Sequence, residues 1–337
     1  MRVLVTGARG MLGGAVARAL AARGDDVTVL QRRPSGLPVR EVLADLGDPD
    51  APLDAALAGH DAVVHLAAKV DVVGPWREYL RTNVGGTRRL VAAARAAGVG
   101  RFVHVSSPSV AHAGDALVGV GAGTADPDGA RGHYARSKAL AEREVLAGVP
   151  ERATRRAGTR NSSGGDAQLA VVVVRPHLVW GPGDTQLVGR IVARARAGRL
   201  AVVGTGAALI DTTYVDDAVD ALVAALDRAP DLHRRVLVVS GGEPRPVAEL
   251  LASICAAAGA PAPRLAVPTG LARAAGVLVE TLWRRDPPMT RFLAEQLSTA
   301  HWFDQRETRA ALGWTPRIGL DEGFRRLGSR RLDAAGS

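Results

Sequence analysis

The side chains best placed to do chemistry are a tyrosine and a lysine four positions apart, in Tyr134-Ala135-Arg136-Ser137-Lys138, a segment that runs on helically through Ala139-Leu140-Ala141-Glu142-Arg143. Residues at i and i+4 share one face of a helix. A phenol with an ordinary pKa of about 10 needs a neighbouring cation before it can give and take a proton near neutrality. Lys138 is therefore expected to lower the Tyr134 pKa and make it a general acid–base group. Lysine is scarce, since Lys69 and Lys138 are the only two in the chain, and this scarcity gives weight to a motif that uses one. Upstream, Phe102-Val103-His104-Val105-Ser106-Ser107 reads as a strand ending in two hydroxyls ahead of a turn at Pro108. The carboxyl ends of parallel strands line ligand crevices, and either serine suits the holding of a carbonyl oxygen there.

A second pattern opens the chain. Thr6-Gly7-Ala8-Arg9-Gly10-Met11-Leu12-Gly13 places glycines three apart, directly after a strand-like run and directly before an Ala/Leu helix. Such a turn lets backbone N–H groups and the helix N-terminus approach a pyrophosphate, which points to dinucleotide binding. The choice between the two nicotinamide dinucleotides is made at the end of the second strand, where an acidic residue would accept the ribose 2′-hydroxyl. This chain has Val29-Leu30-Gln31-Arg32-Arg33 there, without a carboxylate. Arg32 or Arg33, with Arg9 in the glycine turn, suits a 2′-phosphate, so NADP(H) is favoured and NAD(H) is the alternative.

These groups need a frame that carries them to one place. Short β-rich runs alternate with Ala-rich helical stretches in the first half, which predicts an α/β fold of Rossmann type, a doubly wound parallel sheet. Strands are expected at Arg2–Thr6, Asp26–Leu30, Ala62–Leu66, Phe102–Ser106 and Ala170–Arg175, and helices at Leu12–Arg23 and Thr82–Ala97. Residues 1–178 and 205–242 are assigned to the dinucleotide-binding domain, and 179–204 and 243–330 to a smaller C-terminal substrate-binding region. Arg, Thr, Ser and Gly fill Glu151–Gln168 without apolar periodicity, which reads as an exposed mobile loop.

Composition narrows the classes further. The 337 residues carry a formal charge of +9, but the arginines are scattered and no basic stripe alternates with aromatics, which argues against nucleic acid. No run is long enough to span a membrane and no signal peptide is read at the start, so a cytoplasmic location is expected. The single cysteine, Cys255, lies in an apolar stretch and reads as a buried structural thiol. No metal site is expected.

Taken together, the Thr-Gly-x-x-Gly-x-x-Gly and Tyr-x-x-x-Lys motifs, His65-Leu66-Ala67-Ala68 and Asn83-Val84-Gly85-Gly86-Thr87 resemble the extended short-chain dehydrogenases/reductases of the epimerase/dehydratase superfamily. The resemblance implies that Ser107 orients a carbonyl, Tyr134 donates the proton, Lys138 holds the nicotinamide ribose and Asn83 supports a water relay. It also implies a cofactor site built from Gly7, Arg9, Gly10, Met11, Leu12, Gln31, Arg32, Asp45, Leu46, Leu66, Ala67, Ala68, Tyr134, Lys138, Pro176 and Leu178. Arg175-Pro176-His177-Leu178-Val179-Trp180-Gly181-Pro182-Gly183-Asp184 looks like the 3β-hydroxysteroid dehydrogenase-like branch. Asp211-Thr212-Thr213-Tyr214-Val215-Asp216, Ser240-Gly241-Gly242-Glu243-Pro244 and the run from Pro287 to Leu297 are similar to the 2-alkyl-3-oxoalkanoate reductases of bacterial olefin biosynthesis. That likeness implies reduction of a small hydrophobic keto substrate, a homodimer through the helix of Tyr134, and partner enzymes of the same pathway. Leu178, Trp180, Leu187, Trp283 and Phe292 are expected to supply an apolar lining. Rival readings are a 3β-hydroxysteroid dehydrogenase, a nucleotide-sugar epimerase or dehydratase with retained NAD, and a cofactor sensor without chemistry. Gln31 in place of an acid argues against the epimerase, and the joint presence of Ser107, Tyr134 and Lys138 argues against the sensor.

Overall fold

The computed structural model of the chain describes residues 1–71, 74–151, 168–272, 274 and 297–335. The Glu151–Gln168 loop, apart from its two end residues, and Trp283, Phe292 and the run 287–296 lie outside the described residues. The strands are β1 Arg2–Thr6, β2 Asp26–Gln31, β3 Arg40–Leu43, β4 Ala62–His65, β5 Arg101–Val105, β6 Leu117–Val120, β7 Ala170–Pro176, β8 Val179–Trp180, β9 Ala201–Val203, β10 Leu209–Ile210, β11 Thr213–Tyr214, β12 Val236–Val239, β13 Arg245–Pro246, β14 Leu265–Val267 and β15 His301–Phe303. The helices that matter here are α1 Met11–Ala22, α2 Leu53–Leu57, α3 Trp76–Tyr79, α4 Thr87–Ala96, α5 Gly132–Ala147, α6 Val188–Arg196 and α7 Val215–Asp227.

A parallel sheet of seven strands runs β12-β7-β5-β4-β1-β2-β3. Its strands read as continuous apolar runs because both faces are covered, and β7 is buried along its whole length. Side chains alternate between two cores. Val3 and Val5 of β1 join α1 and α7 on one face, while Leu4 joins Leu57 of α2 and Leu90 of α4 on the other. From β1 the chain winds outward through β2 and β3, then returns to β4 and continues the other way. The reversal between β1 and β4 opens a crevice at their carboxyl ends, the place where doubly wound sheets hold ligands.

A third core lies over those carboxyl ends. Trp180, Ile191, Tyr214, Leu251 and Cys255 pack together there, and Cys255 is a free, fully buried thiol. A small sheet β13-β10-β15-β6 flanks it, drawing β6 out of the first half of the chain to pair with β15. No helix among the described residues is long and apolar enough to cross a membrane.

Candidate active site

The turn after β1 is shaped by a buried hydrogen-bond chain. The Thr6 hydroxyl accepts the amides of Leu66 and Ala67 at 3.2 and 3.0 Å and lies 2.7 Å from His65 Nδ1, and His65 Nε2 lies 2.8 Å from the Thr87 hydroxyl. Burial and the Lys138 charge hold His65 neutral, with its pKa down at about 3. A neutral ring can take the Thr6 proton at Nδ1 and donate from Nε2 to Thr87, which satisfies every partner. This chain fixes Leu66–Ala67 against the glycine turn. Gly7 has a φ of 78°, and a Cβ there would stand 2.8 Å from the Ala67 amide nitrogen. Gly10, the N-cap of α1, is different, because a Cβ would meet nothing in the chain closer than 3.4 Å. Its bareness leaves the uncapped N-terminus of α1 open to an approaching pyrophosphate.

Beside this turn is a cavity of about 400 Å³ lined by Gly7, Arg9, Gly10, Gln31, Arg32, Arg33, Asp45, Leu46, Leu66, Ala67 and Ala68. Among the described residues Arg9, Arg32 and Arg33 make no ion pair, so three uncommitted guanidinium groups face one pocket. No carboxylate stands at the end of β2, but β3 pairs beside it and brings Glu41 alongside. Glu41 accepts from Gln31 Nε2 at 2.5 Å and from the Ser35 amide at 2.8 Å, and these bonds hold it below the usual carboxylate range. Gln31 thus ties the acid down, and Glu41 does not line the cavity. An uncapped helix start, a bare glycine edge and free cations together fit the phosphates of a nicotinamide dinucleotide.

A second cavity of about 400 Å³ is lined by Ser107 and Tyr134. Leu12, Ser106, Ser107, Tyr134, Pro176 and Leu178 are among its walls, and Met11 lies just outside it, at the start of α1. Ser107 ends the extended segment after β5 and caps the 3-10 turn Pro108–Ala111, with its hydroxyl 2.9 Å from that of Ser109. Leu178 holds a left-handed backbone, with a φ of 40°.

Here the expected phenol–lysine coupling is corrected. Burial raises the Tyr134 pKa to about 12, with the Ser107 hydroxyl pulling modestly the other way. Lys138 is buried below it and donates to the Val105 carbonyl at 2.7 Å, and desolvation brings its own pKa down to about 8. Tyr134 is therefore a neutral phenol across the physiological range. Lys138 carries a second consequence. Unfolded, it keeps its proton to about 10.5; folded, it releases it near 8, so the unfolded state binds more protons between these values and stability rises with pH across that window. Thermal unfolding from about pH 7 to 10.5 should show this gain in the wild type. Lys138→Met should be more stable at pH 7, by on the order of 2 kcal/mol, and should lack the gain. A flat wild-type profile would contradict the buried charge.

Asn83 makes three direct hydrogen bonds within the chain. It lies in a π-helical stretch, Leu80–Gly86, where its Oδ1 accepts the Lys69 amide at 2.6 Å and its Nδ2 donates to the Lys69 carbonyl and to the Ser137 hydroxyl at 3.1 and 2.9 Å. Both amide hydrogens are spent, so this side chain positions: it ties the segment after β4 to α5 one residue before Lys138. A buried ion pair does the same from the other side. Arg175 at the end of β7 binds Glu142 of α5 through two bonds, Nε to Oε2 at 3.0 Å and Nη2 to Oε1 at 2.5 Å, with both side chains at most 1% exposed.

Neither Glu142–Arg175 nor the histidines of the second cavity, His112, His177 and His301, were singled out as functional from sequence. The available signal was position, since His177 directly follows the last residue of β7.

Residues 3–240 match the NAD dependent epimerase/dehydratase family. The chain is 42% identical over 344 residues to the 2-alkyl-3-oxoalkanoate reductase of Stenotrophomonas maltophilia, covering 97% of this chain and 98% of the relative. It is 30% identical over 338 residues to a 3 beta-hydroxysteroid dehydrogenase/Delta 5-->4-isomerase of Mycobacterium tuberculosis, covering 94% and 86%. A solved structure, MoeE5 in complex with UDP-glucose and NAD, superposes with a TM-score of 0.73 at 29% identity, covering 99% of this chain and 100% of that one. The glycine turn at a topological switch point, the tyrosine and lysine on α5 and the matched span thus converge, and the chain belongs to the NAD dependent epimerase/dehydratase family as an NAD(P)-dependent oxidoreductase.

Proposed function

We propose that this protein uses NADPH to reduce the ketone of a hydrophobic substrate, a 2-alkyl-3-oxoalkanoate, to the alcohol. The observation that carries the reading is the second cavity. It presents the Ser107 and Tyr134 hydroxyls in a pocket otherwise walled largely by Leu, Val, Ile, Pro and Phe side chains, which suits alkyl chains better than a sugar.

A reduced nicotinamide supplies the hydride when bound. Gly7, Gly10 and the first turn of α1 would hold its pyrophosphate, and Lys138 and Pro176 its nicotinamide end. Ser107 donates to the ketone oxygen and holds it toward Tyr134. As negative charge gathers on that oxygen, the Tyr134 phenol gives up its proton to it.

The test is oxidation of NADPH and of NADH against a 2-alkyl-3-ketoacid, a 3-ketosteroid and a UDP-4-ketosugar. Rapid NADPH loss with the ketoacid alone is expected. Turnover of the steroid alone would move the enzyme to the steroid-dehydrogenase reading, and tightly held NAD with no turnover of any of the three would favour an epimerase. Arg9→Ala and Arg32→Ala should each cut the preference for NADPH over NADH by about tenfold or more, the worth of a charged hydrogen bond. An unchanged ratio would remove the arginines from the 2′-phosphate site.

A further inference from the structure

Two serines follow β5, and the chain fixes the direction of only one of their hydroxyls. The Ser106 hydroxyl is buried in the cavity wall with no hydrogen-bond partner among the described residues. The Ser107 hydroxyl meets Ser109 twice: its oxygen accepts the Ser109 amide at 3.3 Å and lies 2.9 Å from the Ser109 hydroxyl. The run Ser107-Pro108-Ser109 makes this pairing. Proline has no amide hydrogen, so the first N–H able to turn back on Ser107 is that of Ser109. The next residue, Val110, is fully buried against Ala139 of α5, which holds the turn to the helix that carries Tyr134.

A hydroxyl has one hydrogen and two lone pairs. Were Ser107 to donate to Ser109, its hydrogen would be spent on a neighbour and none would reach a substrate. With Ser109 as the donor, its amide and hydroxyl hydrogens fill both lone pairs of the Ser107 oxygen, and the Ser107 hydrogen points away, toward Tyr134 and the cavity they share. The influence of Ser107 on Tyr134 has the sign that this direction requires, since a hydroxyl donating to the phenol oxygen lowers the phenol's pKa. A donor whose own oxygen accepts two hydrogen bonds is also polarised into a stronger one. When a ketone enters, its oxygen takes the Ser107 hydrogen, and Ser107 has no lone pair left with which to intercept the Tyr134 proton.

We propose that Ser109 is a positioning residue for ketone reduction, one that fixes the Ser107 hydroxyl as a donor aimed at the substrate carbonyl. The inference rests on the ketone-reduction reading above and adds to it the group that sets the direction of a single hydrogen, acting through Ser107.

The experiment measures single-turnover oxidation of prebound NADPH by the 2-alkyl-3-ketoacid, together with KM and NADPH affinity, in wild type, Ser106→Ala, Ser107→Ala, Ser109→Ala, Ser109→Thr and the double variant Ser107→Ala/Ser109→Ala. Ser109→Ala should slow hydride transfer by about tenfold while KM and NADPH affinity stay within about threefold, and Ser109→Thr, which restores the hydroxyl, should recover most of the rate. Ser107→Ala should cost about 10²–10³-fold, as the loss of an oxyanion donor does. The double variant should be no slower than Ser107→Ala, because Ser109 acts only through Ser107. Full addition of the two losses, a Ser109→Ala rate within about twofold of wild type, or a threonine variant as slow as the alanine one would overturn the role of Ser109. A large loss in Ser106→Ala beside a silent Ser107→Ala would give the carbonyl to the other serine and overturn it as well. A wild type that binds NADPH and reduces no ketone would overturn the ketone-reduction reading itself, a result separate from reduction that ignores Ser109.

Discussion

Tyr134→Phe should lower kcat for ketone reduction by about 10²–10⁴-fold, the usual cost of losing a positioned acid, while NADPH still binds. The argument is one of supply. Reduction leaves negative charge on the substrate oxygen, and that charge must be met by a proton in a pocket whose walls are largely apolar. Tyr134 holds its proton to about pH 12 and shares this pocket with Ser107. The serine stays bonded to Ser109 in the variant and still orients the carbonyl, but a hydroxyl this weakly acidic does not replace the phenol. Phenylalanine keeps the ring, so packing of α5 against the cavity persists. Single-turnover oxidation of prebound NADPH measures the chemical step directly. Retention of more than a few per cent of the wild-type rate would mean that the proton comes from elsewhere.

Glu142→Ala should be the most damaging single change outside the cavities. It strands the Arg175 guanidinium in a fully buried site, at a typical cost of about 3–5 kcal/mol. At roughly 2.1 cal/mol/K of unfolding entropy per residue, a chain of 337 residues unfolding as one unit would lose about 4–7 °C in Tm. The charge explanation has its own control. Glu142→Leu combined with Arg175→Met removes both charges and should recover most of the loss, since well-packed apolar replacements of buried pairs are often neutral or stabilising. A double variant as unstable as the single one would show that packing, and not the stranded cation, sets the cost. Glu142 lies one helical turn beyond Lys138, so the single variant should also lower kcat by loosening α5.

Local features were the legible ones. The glycine turn and the Tyr–Lys spacing each lie within a few residues of one element, and strand–turn–helix context completes their meaning. The apolar run of β7 was plain for the same reason. What stayed hidden depends on contacts between distant segments. Lys138 was read as the partner of Tyr134, but its hydrogen bond goes to Val105, thirty-three positions away. Glu41 reaches Gln31 only because β3 pairs beside β2. The short strands β3 and β12, four residues each, carry too little alternation to stand out. Residues 82–97 read as one continuous helix, yet the first part is π-helical, a rare winding whose single turn is too short to show a pattern. His177 and His301, separated by 124 positions, share no pattern at all.

The left-handed backbone of Leu178 has a meaning for how this pocket is able to change. A leucine in that conformation costs about 1–2 kcal/mol relative to the ordinary right-handed region, a cost that glycine does not bear. Its side chain forms part of the cavity wall, so the protein retains bulk at a position where its own backbone would prefer none. Replacing this residue with glycine relieves the backbone cost and opens space for a longer or more branched chain, against the loss of its packing on the third core. Pocket size and conformational ease are coupled here with the same sign, which makes position 178 the easiest direction in which the substrate range of this scaffold can drift.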